Sequence, residues 1–111
     1  YDQILGSQIR GDLILKIQVE GNFYFDPNDP IYQDHFPGYP VVPGSMIIHA
    51  FYEAVKKAGI ESDCLSAENF KFKHFLAPGE YRYSLENKNG KIICRLFGEK
   101  PDSLVEGKLL L

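Results

Sequence analysis

The stretch Asp34–Glu53, DHFPGYPVVPGSMIIHAFYE, constrains this chain more than any other. Pro40 and Pro43 each fix φ and remove an amide donor, so the backbone there is stiff. After Gly44 the pattern turns helical. Met46, Ile47, Ala50, Phe51, Ala54 and Val55 recur at spacings of one, three and four, as one apolar helix face requires. The spacing predicts a helix from Gly44 to Ala58, with Gly59 as its C-cap. A proline-braced loop thus carries His35 and then launches a buried helix. Such a helix start offers free backbone N–H groups and the positive end of the dipole. A histidine beside it points to an acid–base site with an adjoining oxyanion pocket.

The rest of the chain reads mostly as strands. Residues 1–11 give a weak signal, with Ile4, Leu5 and Ile9 suiting a helical turn or a strand end. In Asp12–Glu20, DLILKIQVE, Leu13, Leu15, Ile17 and Val19 alternate with Ile14, Lys16, Gln18 and Glu20, which predicts a half-buried strand. Gly21 and Asn22 punctuate it, with Phe23–Phe25 as a short continuation, and DPNDP at 26–30 is a turn cluster. Beyond the helix, Ala67–Leu76, Tyr81–Glu86, Lys91–Gly98 and Leu104–Leu111 are expected strands. Pro78-Gly79, Asn89-Gly90 and Pro101–Ser103 turn the chain between them, the Asn-Gly pair supplying positive φ cheaply. This is an α+β pattern: an antiparallel sheet with one long helix, whose wide apolar arc implies that the sheet curls around it.

At 111 residues, with no linker, repeat or low-complexity tract, the expectation is one domain over 1–111. The net charge of −3 argues against nucleic-acid binding by bulk charge. No apolar run approaches the roughly 20 residues that span a bilayer, and no secretory signal is visible. Cys64 and Cys94 are too few and too scattered for a metal cluster or a disulfide framework. They read as reduced structural thiols of a cytoplasmic protein that needs neither metal nor cofactor.

His35-Phe36-Pro37-Gly38-Tyr39-Pro40-Val41-Val42-Pro43-Gly44 resembles the signature loop of the FabA/FabZ family, the hot-dog 3-hydroxyacyl-ACP dehydratases. Every fixed position of His-Phe-x-Gly-x-Pro-x-x-Pro-Gly is matched. Asn69–Lys73, running on to Pro78-Gly79-Glu80, is similar to the family's strand and turn after the central helix. The resemblance covers the chain from about Asp12 onward, and the leading segment is shorter than is usual in the family. It implies a hot-dog fold, and an enzyme that eliminates water from a 3-hydroxyacyl thioester on an acyl carrier protein in fatty-acid or related biosynthesis. It further implies His35 as the base and the Gly44 N–H as the group that polarises the thioester carbonyl. Gly38, Val42 and Pro43 would line the substrate. It also implies a homodimer or higher homo-oligomer, paired edge to edge, whose sites combine the histidine of one subunit with the acid of the other.

One departure matters. The family's acid lies fourteen positions after the histidine, and here that residue is His49. Three readings stay open. An imidazolium at His49 can do the acid's work, since histidine titrates near neutrality. Glu53, one helical turn onward where the family has Gln, can take the role instead. Or catalysis is lost, and the pocket only binds acyl chains or pairs with another subunit. A hot-dog acyl thioesterase is a further class, kept open by Glu53. Each residue also has a plain structural explanation: His49 as a packed helix histidine, Glu53 as a solvated one, Phe70, Phe72 and Phe75 as core, Lys56 and Lys57 as partners of the helix dipole. Acyl carriers are acidic, as this chain is, so docking calls for a local basic patch. Lys71, Lys73 and His74 are the candidates.

Overall fold

The computed structural model describes residues 18–34 (the backbone alone at 33 and 34), 38, 40–60 and 66–110. The leading segment, residues 12–17 of the first expected strand, His35, Phe36, Pro37, Tyr39 and Cys64 lie outside the described residues. The elements in chain order are β1 (Gln18–Phe25), α1 (Ile31–Asp34), α2 (Gly44–Lys57), β2 (Ser66–Phe72), β3 (Gly79–Lys88), β4 (Lys91–Phe97) and β5 (Ser103–Leu110). The strands form one antiparallel sheet in the order β1-β3-β4-β5-β2.

Helix α2 covers one face of that sheet. Its buried residues are Ile47, Phe51, Ala54 and Val55. They pack with Leu85 of β3, Ile92, Cys94 and Leu96 of β4, and Val105 and Leu109 of β5. Met46 and Ala50 complete the expected apolar stripe as partly buried neighbours. The helix ends in a Schellman turn. Gly59 N–H donates to the Lys56 carbonyl at 3.0 Å, Ile60 N–H donates to the Val55 carbonyl at 3.2 Å, and Gly59 has φ +84°. Lys56 and Lys57 sit in the last turn, against the negative end of the dipole.

The β3–β4 hairpin closes as its sequence requires. Lys88 pairs with Lys91 across a two-residue turn in which Asn89 has φ 53° and Gly90 φ 81°. Before α1, the Asp-rich turn is held by its own carboxylates. The Asn28 N–H donates to Asp26 Oδ1 at 2.9 Å, and the Ile31 N–H donates to Asp29 Oδ1 at 3.1 Å.

Three expectations need correction. First, Gly21 and Asn22 do not interrupt β1, which runs through both and pairs with β3 over its whole length. Gly21 is there for proximity: a Cβ would stand 2.6 Å from the Tyr83 hydroxyl, because the Tyr83 ring lies over it. Second, residues 31–34 form the short helix α1, once the Asp29 carboxylate and carbonyl have capped its first turn. Third, β2 ends at Phe72 and does not reach Leu76. Strand β2 also carries a bulge. The register moves from Glu68↔Lys108 to Lys71↔Glu106, so Asn69 and Phe70 stand against Gly107 alone, with Asn69 at φ 55°.

Gly107 has the same reason as Gly21. A Cβ there would overlap the Phe70 ring. Gly107→Ala is therefore expected to cost about 1–3 kcal/mol, the usual range for overpacking. Urea unfolding checks this, and adding Phe70→Ala should return part of the loss. A Gly107→Ala variant as stable as the parent would show that the ring does not need that gap.

Cys94 is free and fully buried, and burial pushes its thiol from 9.0 up to about 12. The unfolded chain then ionises this thiol first. Its contribution to stability is whole below about pH 9 and is lost as pH rises toward 12, at about 1.4 kcal/mol per pH unit for one proton. The stability gap between the parent and Cys94→Ala should accordingly narrow above about pH 9 in denaturant titrations.

Candidate active site

The loop before α2 is fixed at both ends of its described part. Val41 and Val42 are buried, and the Val42 N–H donates to the Leu76 carbonyl at 2.8 Å. Pro43 is the N-cap of α2, with φ −62° and ψ 143° and no side-chain capping bond. Its carbonyl accepts from the Met46 N–H at 3.0 Å and the Ile47 N–H at 3.3 Å. The two amides before these, of Gly44 and Ser45, have no acceptor among the described residues. No acidic side chain stands in the first turn. Among the described residues the first donors and the positive dipole end of this helix start thus meet no acceptor, which suits developing negative charge.

Gly44 is also a point of close approach. A Cβ there would come 3.1 Å from the Phe72 ring. Gly38, at φ +84°, adopts a backbone conformation that favours glycine. Gly38, Pro40 and Val41 line a cavity of about 250 Å³ with Phe75, Leu76 and Ala77. Phe75 is 84% exposed, so it is not the core residue its composition suggested, and Phe72 is 42% exposed.

His49 lies in the second turn of α2 and is exposed. It is not held inside the helix packing. Glu53, one turn onward, is half-exposed, and its carboxylate lies 3.6 Å from the Lys56 ammonium. Glu53 also lines a cavity of about 170 Å³ between β1, β3 and α2, with Phe23, Ala50, Lys57 and Tyr83 among its walls. Val42, Pro43 and Gly44 therefore form the helix start, Gly38 lines the neighbouring cavity with Pro40 and Val41, and His49 and Glu53 project from the next two turns. Among the described residues no group of three His, Cys, Asp or Glu side chains is placed to hold a metal. No helix among them is long and apolar enough to cross a membrane.

Lys71, Lys73 and His74 are all exposed. Lys71 and Lys73 line a third cavity, together with Lys108 and Asn69, whereas His74 does not. The sequence reading missed Lys108 and Asn69. Only the β2–β5 register, with its bulge, brings them beside Lys71.

Comparison with known proteins agrees with this fold. Residues 14–107 match the profile of the ApeI-like family, described as ApeI dehydratase. A 3-hydroxyacyl-[acyl-carrier-protein] dehydratase FabZ of Campylobacter concisus (strain 13826) is 36% identical over 81 residues, 58% of this chain and 55% of that relative. A FabZ of Aliarcobacter butzleri (strain RM4018) is 26% identical over 122 aligned positions, 98% of this chain and 82% of the relative. The chain thus spans about half the length of some curated relatives and most of others. Among solved structures, the dehydratase heterocomplex ApeI:P from Xenorhabdus doucetiae superposes with a TM-score of 0.67 at 20% identity, over 84% of this chain and 85% of that one. An uncharacterized protein from Erwinia carotovora subsp. atroseptica gives 0.63 at 24% identity, over 84% and 81%. These structural likenesses establish the curled sheet around a central helix as the hot-dog fold. With 14–107 matched, the chain belongs to the ApeI-like dehydratase family of hot-dog proteins.

Proposed function

We propose that this chain dehydrates a 3-hydroxyacyl thioester to a 2-enoyl thioester, with the acyl group carried on an acyl carrier protein as in the named FabZ relatives. One observation carries the reading: the His35–Gly44 loop ends on a helix start whose Gly44 and Ser45 amides have no acceptor among the described residues. His35 takes the proton from the carbon next to the thioester carbonyl. The Gly44 N–H stabilises the charge that builds on the carbonyl oxygen. As the double bond forms, the Cβ–O bond breaks, and His49 gives its proton to the departing hydroxyl, which leaves as water. The elimination balances without an added cofactor or metal.

His49 is preferred to Glu53 as the acid. Glu53 is engaged with Lys56, while His49 has no ion-pair partner among the described residues. Because His49 is exposed on α2, a site closed to water needs a second subunit against that face. The working unit in this reading is at least a dimer, with His35 of one copy facing His49 of the other. The exposed Phe72 and Phe75, at and just beyond the end of edge strand β2, are apolar surface that pairing would cover. Lys71, Lys73 and His74 are the surface offered to an acidic carrier. A cytoplasmic location follows from the same reading of the substrate.

The deciding assay gives the protein a 3-hydroxyacyl thioester and a saturated acyl thioester. Dehydration of the first supports this reading, hydrolysis of the second replaces it with a thioesterase, and turnover of neither leaves a binding subunit. His35→Ala should lower dehydration about 10²–10⁴-fold, as loss of a general base does. His49→Ala should be comparably slow, and His49→Glu should keep or raise activity. An active His49→Ala beside a dead His49→Glu would move the acid elsewhere.

Shared sites make a second prediction. Mixing inactive His35→Ala with inactive His49→Ala should restore activity, since a mixed dimer holds one site with both histidines intact. Sedimentation of a fully active monomer would rule the pairing out.

A further inference from the structure

Lys71, Lys73 and Lys108 line one cavity of about 500 Å³, with Asn69, Ile93 and Glu106 among its other walls. It lies on the face of the sheet turned away from α2, since Glu106 and Lys108 alternate with the buried Val105, Gly107 and Leu109. The β2 bulge shapes it. The extra residue at Asn69, with φ 55°, bends β2 where the register passes from Lys108 to Glu106.

The charge in this cavity is out of character with the chain. The protein carries a net −3, yet three lysines line this cavity. Glu106 is the one carboxylate among the lining residues, and it is already engaged. It lies 3.7 Å from Arg95 Nε and accepts from the Ser103 hydroxyl at 3.4 Å. Lys73 Nζ donates to the Ser103 hydroxyl oxygen at 3.4 Å. Glu68 faces Lys108 in register, but no ion pair joins them, and Lys71 has none with a described carboxylate. A concave surface on which positive charge outnumbers negative focuses potential and gathers counter-ions.

We propose that this groove binds a phosphate-bearing ligand. Ammonium groups on flexible stems are point-charge donors well suited to phosphate oxygens. The volume falls within the ordinary range for small-molecule sites, so there is room for the group attached to the phosphate, which would lie against Ile93. The phosphate can come from the 4′-phosphopantetheine arm of a thioester carrier or from a free phosphate compound. Only the first source rests on the proposed dehydratase reading. Binding needs no turnover, so the two ideas fail separately.

The test is calorimetric titration with pantetheine 4′-phosphate, unphosphorylated pantetheine and inorganic phosphate. The expected result is binding of pantetheine 4′-phosphate that weakens as salt is raised, and none of pantetheine. Lys71→Gln and Lys108→Gln should each weaken it about threefold to fivefold, as loss of one exposed charge contact does. Amide shift mapping on the parent protein should report the site at residues 69–73 and 106–108 without any substitution. Equal affinity for inorganic phosphate would keep the anion site and discard the carrier arm as its source. Pantetheine binding as well as its phosphate, or unchanged binding in both lysine variants with shifts elsewhere, overturns the proposal.

Discussion

Phe51 is the contact on which the rest of this domain depends. Its ring is fully buried and meets Phe23 at 5.1 Å edge-on, Phe70 at 6.0 Å and Tyr83 at 6.3 Å. Phe23 and Tyr83 are themselves stacked at 4.2 Å. These rings can surround Phe51 only because two strand positions lack a Cβ: Gly21 beneath Tyr83 and Gly107 beneath Phe70. Glycine in a strand costs conformational entropy and gives no side chain to pack. Here that cost is offset by aromatic rings laid against the sheet, each burying a large area and adding edge-to-face contacts of about 0.5–1.5 kcal/mol.

The same packing decides what the helix can offer chemically. Ile47, Phe51, Ala54 and Val55 are spent on the sheet. Ser45, His49 and Glu53 are therefore turned outward, and the α2 amides without an acceptor among the described residues are at its first turn. Fold and proposed chemistry thus divide one helix between them: one face for stability, the outer face and the N-terminus for function. The Val42 N–H bond to Leu76 holds the loop before Gly44 to the segment after β2, so the helix start is fixed by tertiary structure and not by a side-chain cap.

How much of this was legible in the sequence follows from the range of each interaction. The helix, its Gly59 stop and the Asn89-Gly90 hairpin were readable because spacing within one segment dictates them. Gly21 was read as a break because its partner, the Tyr83 ring, belongs to another strand. The bulge at Asn69 and the meeting of Lys71 with Lys108 were invisible for a like reason: they are properties of the β2–β5 register, between strands joined through β3 and β4. The His35–Gly44 loop stood out as a motif, but its motif could not say that position 49 faces outward. That came from seeing which face α2 buries.

In the proposed site a histidine at that position asks something different of its surroundings from what a carboxyl would ask. A carboxylic acid must hold its proton to act as a donor, so near neutral pH it needs burial or a neighbouring negative charge to stay neutral. An imidazolium needs neither, because histidine titrates closer to neutrality and its donor form is the charged one. Desolvation acts in opposite directions on the two, favouring a protonated carboxyl and disfavouring an imidazolium. A site built on two histidines is therefore best served by a wetter mouth than one built on a histidine and a carboxyl. It also has a different working state, the singly protonated pair, which exists only between the two macroscopic pKa values of that pair. In the proposed site, tighter closure around residue 49 would favour a protonated carboxyl there and disfavour a charged imidazole. Residue 49 and the depth of the surrounding surface are in this way coupled choices.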